Sequence, residues 1–197
     1  MTKIIFATGN QGKIREIKQI MADMDVEILS MKEAGIFMEI EENGTTFEEN
    51  ALIKARTIAK EAGALVLADD SGLEIDYLDK APGVLSARYL GEDTSYDVKN
   101  THILGLLKDV KGEDRSARFV CSIAAVFPDG REFTTYATIE GEIAYKIEGE
   151  NGFGYDPIFF VPEFGKTTAQ LSSEEKNKIS HRGKALTMMK EILNKEL

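Results

Sequence analysis

Two neighbouring aspartates, Asp69 and Asp70, are the residues of this chain best suited to phosphate chemistry. They follow an apolar run over residues 65–68, which predicts a buried strand, and they precede Ser71 and Gly72. At the C-terminal end of a strand in an α/β sheet, side chains lie where ligands usually bind. Two carboxylates there suit Mg²⁺, and one of them could accept a proton from an attacking water. The alternative is a turn in which Asp and Ser side chains bond the backbone.

A glycine-containing loop precedes the first predicted helix. It consists of Thr8, Gly9, Asn10, Gln11, Gly12 and Lys13. Small residues let a ligand approach the backbone closely, and the N-terminus of a helix presents free N–H groups to an anion. Lys13 adds a cation at the same end. The loop lacks the spacing of a Walker A motif, and it is equally compatible with an ordinary glycine turn beside a solvated lysine.

An acidic run and one helix face offer further ligands for a metal or a phosphate. Glu39, Glu41 and Glu42 could supply another metal-directed carboxylate, although such a run is also typical of a solvated surface. Asn50 and Lys54 lie one turn apart and share a face of a predicted helix. Lys54 is compatible with a phosphate contact and also with an exposed surface position.

Aromatic and basic residues of the C-terminal half could bind a nucleobase. The aromatic segment is Gly152, Phe153, Gly154, Tyr155, Asp156 and Pro157. Phe153 could stack on a base, and Asp156 could bond a polar edge nearby. Farther along the chain, Lys176 precedes His181 and Arg182, two donors that could read an oxygen on a purine edge. The alternatives are a turn with core aromatics and a basic helix start, although positive charge is mildly unfavourable there.

The surrounding pattern predicts the elements that position these residues. Capping boxes that begin at Thr46 and Ser172 predict helix starts, and Gly63 predicts a helix end. Apolar periodicity predicts helices from residue 13, over residues 96–107 and near the C-terminus, and it predicts strands over residues 3–7, 26–29, 65–68, 73–77, 119–127, 132–139 and 143–147. A turn at residues 128–130 joins two of these strands. Strand–helix alternation followed by consecutive strands predicts an α/β fold, with a mixed sheet flanked by helices.

Composition narrows the class of protein. The length of 197 residues is typical of one large domain or two small lobes, and we expect a single domain, 1–197. The net charge of −10 argues against binding of long nucleic acids, which requires a basic surface. No apolar run approaches the roughly 20 residues that span a bilayer, and the N-terminus lacks the pattern of a signal peptide. The single cysteine, Cys121, lies in an apolar run and predicts a buried thiol. We therefore expect a cytoplasmic protein without membrane contact.

In combination, these segments resemble the inosine triphosphate pyrophosphatase family, whose members are also called Ham1-like or RdgB-like proteins. The resemblance is carried by residues 7–13, 46–51, 68–73, 81–89, 152–159 and 179–183, which are specific through their shared order and spacing. It implies an elongated α/β structure with a central cleft between two lobes, commonly a homodimer. It also implies Mg²⁺-dependent hydrolysis of non-standard purine nucleoside triphosphates such as ITP, dITP and XTP, with Mn²⁺ as an alternative metal.

The resemblance implies a role for each motif. Residues 8–13 would bind the triphosphate with the help of Lys54. Asp70 would accept a proton and bind Mg²⁺ with support from Asp69 and Glu41, and Ser71 would touch the substrate. The base would be held by Phe153, Gly154, Tyr155, Asp156, Lys176, His181 and Arg182. Water would attack the α-phosphorus, and donors facing the purine 6-oxo group would reject adenine, whose amino group would leave them unpaired.

Two departures and two rival interpretations accompany the resemblance. The chain has Glu150-Asn151 where the family usually has Thr-Gly, and Asp79-Lys80 where it usually has two glycines. The first departure lies beside the segment that would hold the base. One rival is an enzyme of the same reaction type with another base preference, and the other is a nucleotide-binding regulator without catalysis. The adjacent aspartates argue against the regulator, because a pure binder gains little from carboxylates near phosphates.

Overall fold

The computed structural model describes residues 2–197 and contains a mixed sheet of seven strands together with five α-helices among those residues. The strands are β1 (Thr2–Phe6), β2 (Val26–Ser30), β3 (Leu65–Ile75), β4 (Ser116–Val126), β5 (Glu132–Ile143), β6 (Phe159–Val161) and β7 (Lys166–Thr167). The helices are α1 (Gln11–Ile20), α2 (Phe47–Ala62), α3 (Tyr96–Leu106), α4 (Ser173–Ile179) and α5 (His181–Glu196). The predicted α/β class with a mixed sheet is confirmed.

The strand order in the sheet is β2-β1-β3-β4-β5-β6-β7. β1 pairs in parallel with both β2 and β3, whereas β6 pairs antiparallel with both β5 and β7. Parallel pairing requires a crossover between strands, and α1 and α2 occupy the two crossovers that connect β1, β2 and β3. Among the described residues, no helix combines the length and hydrophobicity needed to cross a membrane.

The chain divides into two compact units, and neither is a continuous stretch of sequence. Unit 1 comprises the residues up to Asp70, together with Cys121–Ala137 and His181–Leu197, and unit 2 comprises Ser71–Val120 and Thr138–Ser180. Because the chain passes repeatedly from one unit to the other, no single cut in the sequence separates them. The single domain over residues 1–197 remains a prediction.

Unit 1 has hydrophobic clusters on both faces of its strands. Ile4, Phe6, Leu65 and Leu67 pack in one cluster with apolar residues of α1 and α5, including Ile17 and Leu186. The residues between them, among them Ile5 and Val66, pack in a second cluster with Ala51, Ala55 and Ile58 of α2. Successive side chains of a strand point to opposite faces, so the continuous apolar runs of β1 and β3 bury both faces.

Unit 2 has one principal core, formed by α3 and parts of four strands. Leu73, Ile75, Ile103 and Phe159 are fully buried members of this cluster, and the rings of Phe119 and Phe159 lie 4.3 Å apart between centroids. This core supports the segment with Phe153 that was singled out in the sequence.

The predicted helix caps are confirmed, but the last predicted helix is divided. Thr46 forms a capping box with Glu49, and Gly63 ends α2 in the left-handed conformation at φ 59°. Ser172 forms the other capping box with Glu175, but α4 ends at Ile179. Ser180 has an extended backbone with ψ 155°, and α5 begins at the next residue. The single helix predicted from Ser172 onward is therefore two helices.

Three strand predictions are corrected by the structure. The strands predicted over residues 65–68 and 73–77 are parts of one strand, β3, which continues through residues 69–72 and ends at Ile75, two residues before the predicted end. The strand predicted over residues 143–147 is wrong, since β5 ends at Ile143. The short strands β6 and β7 were not predicted, because three and two residues are too few to show an alternating pattern.

Candidate active site

Asp69 and Asp70 lie within β3 and not beyond its end, which changes what their adjacency means. Because side chains alternate along a strand, the two carboxylates project to opposite faces. Asp69 follows the alternation of Leu65 and Leu67, which face α1 and α5, whereas Asp70 follows that of Val66, which faces α2. The two carboxylates therefore have different ion-pair partners.

Asp69 is fully buried between two cations. Its Oδ2 lies 3.0 Å from Lys13 Nζ on α1 and accepts a hydrogen bond of 3.2 Å from Arg182 Nε on α5. Arg182 is itself buried and also forms an ion pair with Glu16. Burial by itself would raise the pKa of the Asp69 carboxyl, but the charges of Lys13 and Arg182 hold that pKa well below its usual value.

Asp70 lies on the opposite face beside Lys54 of α2. Its Oδ1 is 3.7 Å from Lys54 Nζ, which also donates a hydrogen bond of 2.9 Å to Glu42 Oε2. Burial raises the pKa of Asp70 above its usual value even though Lys54 opposes the shift. Burial would lower the pKa of Lys54, yet the surrounding carboxylates, Asp70 first among them, raise it overall. Lys54 is therefore a buried cation and not the exposed surface lysine of the alternative interpretation.

The structure places Glu42, and not Glu41, in this group. Glu41 is exposed, whereas Glu42 is half-buried against Lys54. The segment before α2 is held by Asn50, whose Oδ1 accepts a hydrogen bond of 2.8 Å from the Gly44 backbone N–H. A Cβ at Gly44 would lie 2.7 Å from that same oxygen, so glycine is required for this approach. The acidic run was recognisable in the sequence, but the side chain that turns inward was not.

The glycine-containing loop is the N-terminal cap of α1. The helix begins at Gln11, two residues before the predicted start, because the Asn10 side chain accepts hydrogen bonds from the backbone N–H groups of Gly12 and Lys13. Thr8 Oγ1 in turn accepts a bond of 3.2 Å from the Asn10 N–H. A Cβ at Gly9 would meet no atom within 4 Å. The packing of the protein therefore does not require glycine at this exposed position, and the absent side chain leaves room for a ligand.

The carboxylates of this region fit Mg²⁺ in chemistry, although they do not form a ready-made cage. Among residues 2–197 no group of three or more His, Cys, Asp or Glu side chains is arranged to hold a metal ion. Mg²⁺ does not require such a cage, since it takes one or two carboxylates and completes its shell with phosphate oxygens and waters. Asp70 and Glu42, which converge on Lys54, are two such oxygen donors.

The aromatic segment predicted over residues 152–157 lies in unit 2, and the loop of residues 151–156 will be called the base loop after the contact predicted for it. Asp156 is its buried anchor: its Oδ2 accepts bonds from the Phe153 N–H at 2.8 Å and from Lys176 Nζ at 2.7 Å. Its Oδ1 accepts a bond of 2.8 Å from Thr168 Oγ1. Lys176 Nζ also lies 4.7 Å from the centroid of the Phe153 ring. The structure thus brings Phe153 and Lys176 together, and the base contact that the family resemblance implies for them stays a prediction.

The remaining predicted site residues are distributed between the units. Tyr155 is buried in unit 2, where its hydroxyl donates a bond of 2.6 Å to the Ser86 carbonyl, so its ring is a core residue of the loop. Ser71 is half-buried and is the first residue of unit 2 on β3. His181 and Arg182 begin α5, are buried and belong to unit 1, whereas Lys176 belongs to unit 2. Glu16, which pairs with Arg182, was not singled out in the sequence, because an acidic residue on a helix is ordinarily exposed.

Comparison with known proteins decides the family. A model of the Ham1 family matches residues 4–192. The chain belongs to the Ham1 family. It is 50% identical over 198 residues to a protein of Caldanaerobacter subterraneus named dITP/XTP pyrophosphatase, covering 100% of this chain and 98% of that protein. A Clostridium perfringens protein of the same name is 48% identical over 199 residues, with 98% of each chain covered.

Solved structures agree with this assignment. The structure of a HAM1 protein from Coxiella burnetii superposes on this Ham1 chain with a TM-score of 0.89 at 42% identity, covering 99% of this chain and 100% of the other. The chain therefore has the Ham1 fold along nearly its whole length, and Asp69 and Asp70 lie within that fold.

Proposed function

We propose that this Ham1 protein hydrolyses non-standard purine nucleoside triphosphates (ITP, dITP and XTP) to the monophosphate and pyrophosphate. The observation that carries the proposal is Asp70, a buried carboxylate with a raised pKa beside Lys54, in a chain that is about half identical to proteins named dITP/XTP pyrophosphatase. A carboxylate with a raised pKa is a better base than an ordinary aspartate, and Lys54 places positive charge beside it.

The reaction is a displacement at the α-phosphorus. The oxygen of a water molecule forms a bond to that phosphorus while the bond from phosphorus to the α–β bridging oxygen breaks, and pyrophosphate leaves with the electron pair. Asp70 orients the water and takes its proton. When bound by Asp70 and Glu42, Mg²⁺ would neutralise charge on the phosphates. Mn²⁺ prefers similar oxygen ligands and remains an alternative.

The cations of unit 1 bind the triphosphate in this proposal. Lys13 and Lys54 supply positive charge, and the cap of α1, with Thr8, Gly9, Asn10, Gln11 and Gly12, supplies polar backbone and an open approach. We assign Asp69 to holding Lys13 and not to the metal, because its Oδ2 already contacts two cations. Glu42 takes the place of Glu41 as the second carboxylate, and Ser71, next to Asp70, contacts the substrate.

The base is read by aromatic stacking and by hydrogen-bond donors. Phe153 offers its ring to a purine, with Gly154, Tyr155 and Asp156 shaping the loop around it. Lys176 is a donor for the 6-oxo group of hypoxanthine or xanthine, and the family resemblance implies the same role for His181. Arg182 is a third proposed donor, because its guanidinium carries several N–H groups; its partners include Asp69 and Glu16.

A product assay tests the reaction and the base preference together. With Mg²⁺ present, ITP, dITP, XTP, ATP, GTP and a pyrimidine triphosphate are each offered to the protein. We expect ITP, dITP and XTP to yield monophosphate and pyrophosphate much faster than the other nucleotides. Release of a diphosphate and orthophosphate would contradict attack at the α-phosphorus. Nucleotide binding without turnover would favour the regulator, and equal turnover of all bases would favour an enzyme of different preference.

The protein is further proposed to act as a homodimer, in line with the family resemblance. Light scattering on the purified protein should then give twice the chain mass of 21.8 kDa. A mass equal to one chain at micromolar concentration would contradict the dimer and leave the proposed reaction unaffected.

A further inference from the structure

The base loop contains two glycines in the left-handed conformation, one on each side of Phe153. Gly152 has φ 72° and Gly154 has φ 66°. A Cβ at Gly152 would lie 2.2 Å from Asp156 Oδ2, so a side chain there would disrupt the anchor. Glycine has more backbone freedom than any other residue. The orientation of the Phe153 ring therefore depends on the hydrogen bonds that hold the peptide groups on either side of it.

Two asparagine side chains, neither of which is a proposed substrate contact, help to hold this loop on either side of Phe153. On the N-terminal side of Phe153, Asn151 Nδ2 donates a hydrogen bond of 3.0 Å to the Leu171 carbonyl. On its C-terminal side, the Gly154 carbonyl accepts a hydrogen bond of 3.1 Å from Asn100 Nδ2 of α3. The Asn151 backbone N–H adds a bond of 3.0 Å to the Ala169 carbonyl. The loop is thus fixed on the side of residues 169–171 and on the side of α3.

Asn100 is an unusual polar residue, because its side chain is buried although it makes a single hydrogen bond to the described part of the chain. Its exposed fraction is 2%, and within residues 2–197 its Oδ1 has no hydrogen-bond partner. A buried carbonyl oxygen without a partner destabilises a fold, so an apolar residue of similar size would suit the core of unit 2 better. The one bond that Asn100 makes to another element goes to the loop that carries Phe153.

Neighbouring residues of α3 make the helix a rigid support for this bond. The Tyr96 ring meets the Tyr155 ring edge-on at 5.1 Å, and Tyr155 is bonded to Ser86. Lys99 Nζ donates a bond of 2.6 Å to the Ala87 carbonyl and lies 4.7 Å from the centre of the Tyr96 ring. α3 is therefore tied both to the loop and to residues 86–87, and a change at Asn100 alone leaves these other ties in place.

We propose that Asn100 is a positioning residue for base discrimination, which holds the Gly154 carbonyl so that Phe153 keeps one orientation towards a purine. This inference rests on the proposed function, in which Phe153 stacks on the base. Without Asn100, the preferred purine loses aligned contacts in the transition state. A base that never made those contacts loses less, so the variant turns over ITP more slowly and discriminates less.

The test compares Asn100→Leu and Asn100→Ala with Ile103→Ala. Ile103 is a fully buried residue on the same helix, and its truncation lowers stability without removing a bond to the loop. For each protein we would measure the ratio of kcat/KM for ITP to that for ATP, the Tm, and the hydrogen exchange of a peptide covering residues 150–158. We expect both Asn100 variants to lower the ratio by about tenfold or more and to speed exchange in that peptide, while Ile103→Ala keeps the ratio within about twofold.

Each outcome decides the proposal. An unchanged ratio with unchanged exchange in the Asn100 variants would overturn it, and so would an equal fall of the ratio in Ile103→Ala. Failure of both Asn100 variants to fold would assign Asn100 to the core and would also overturn it. If the wild-type protein itself shows no preference for ITP, the proposed function fails, and faster exchange confined to the base loop still tests whether Asn100 positions it.

Discussion

Asp69 and Asp70 are chemically identical neighbours whose pKa values shift in opposite directions. Asp69 is the more deeply buried of the two, yet Lys13 and Arg182 lower its pKa, whereas burial dominates at Asp70 and raises its pKa. A lowered pKa means that the folded state stabilises the carboxylate, and a raised pKa means that it favours the neutral acid. At neutral pH, Asp69 therefore contributes stability to the fold, while the charge on Asp70 reduces it.

The first prediction concerns Asp70→Asn, which should lower activity and raise stability. Loss of the proton acceptor should reduce kcat by about 10²- to 10⁴-fold, while the affinity for nucleotide is retained. In metal-free protein at pH 7, we expect Tm to rise by about 2–4 °C, roughly 1 kcal/mol for a chain of this size. The pKa of Asp70 is raised in the folded state, so this gain in Tm should shrink as pH falls towards the ordinary aspartate pKa near 4. There the wild-type carboxyl is protonated and is neutral like the asparagine of the variant.

Asp69→Asn is the matched control on the same strand, and its stability should change in the opposite sense. The substitution removes the buried carboxylate that pairs with Lys13 and Arg182, which should lower the free energy of unfolding by on the order of 3 kcal/mol. Unfolding in denaturant, followed by circular dichroism at pH 7, measures both variants. Equal destabilisation by the two substitutions would show that the distinction between the aspartates is wrong.

A second prediction separates the two neighbouring glutamates. Glu42→Gln should raise the Mg²⁺ concentration needed for half-maximal activity by about tenfold or more, because Glu42 and Asp70 both converge on Lys54. Glu41→Gln should leave that concentration unchanged, since Glu41 is exposed. Direct titration of each variant with Mn²⁺, observed by electron paramagnetic resonance, would report metal affinity independently of turnover. A larger effect at Glu41 would reverse the assignment.

At the scale of elements, the sequence was most informative where local chemistry decides the structure. The capping boxes at Thr46 and Ser172 and the left-handed Gly63 involve neighbouring residues, and all three were predicted from the sequence. The continuation of β3 through Asp69 and Asp70 was not, because charged residues in a strand normally indicate its end. That continuation depends on Lys13, Arg182 and Lys54, whose distance from β3 along the chain hides their role.

Arg115 shows a comparable long-range arrangement in unit 2, and it was not predicted. Its guanidinium is buried and donates to the carbonyls of Leu107 and Val110, which follow α3, and to those of Ile143 and Ala144 at the end of β5. Four buried carbonyl oxygens near the ends of two elements therefore share one donor group.

The third prediction follows from this arrangement. Arg115→Met keeps an apolar chain of similar length but removes the donor group shared by these buried carbonyls, which should lower the free energy of unfolding by roughly 3 kcal/mol. Arg56→Met is the control: Arg56 makes a bidentate pair with Glu132 on the surface, with 55% of its side chain exposed, and its loss should cost less than about 1 kcal/mol. Urea unfolding of both variants measures the difference. Similar losses would contradict the role given to Arg115.

At the scale of the whole molecule, the net charge argues against a long polyanion as ligand, whereas the lysines held by carboxylates favour a small anion. The chain carries a net charge of −10, which repels polyanions, while Lys13, Lys54 and Lys176 are each held in place by carboxylates. A compact triphosphate can be bound by a few such cations and a metal ion. A duplex requires an extended basic surface that releases many counterions.

The last prediction is that duplex DNA does not inhibit hydrolysis of ITP, whereas inorganic triphosphate does. At about 50 mM salt, phosphate contacts are strong. A DNA duplex added to a final concentration of about 1 mM in backbone phosphate should nevertheless leave the initial rate of ITP hydrolysis unchanged. Inorganic triphosphate at the same phosphate concentration, with Mg²⁺ in excess, should compete with ITP because it presents the same group to Lys13 and Lys54 without a base. Inhibition by the duplex that weakens as salt is added would reveal a basic surface that the net charge of −10 conceals.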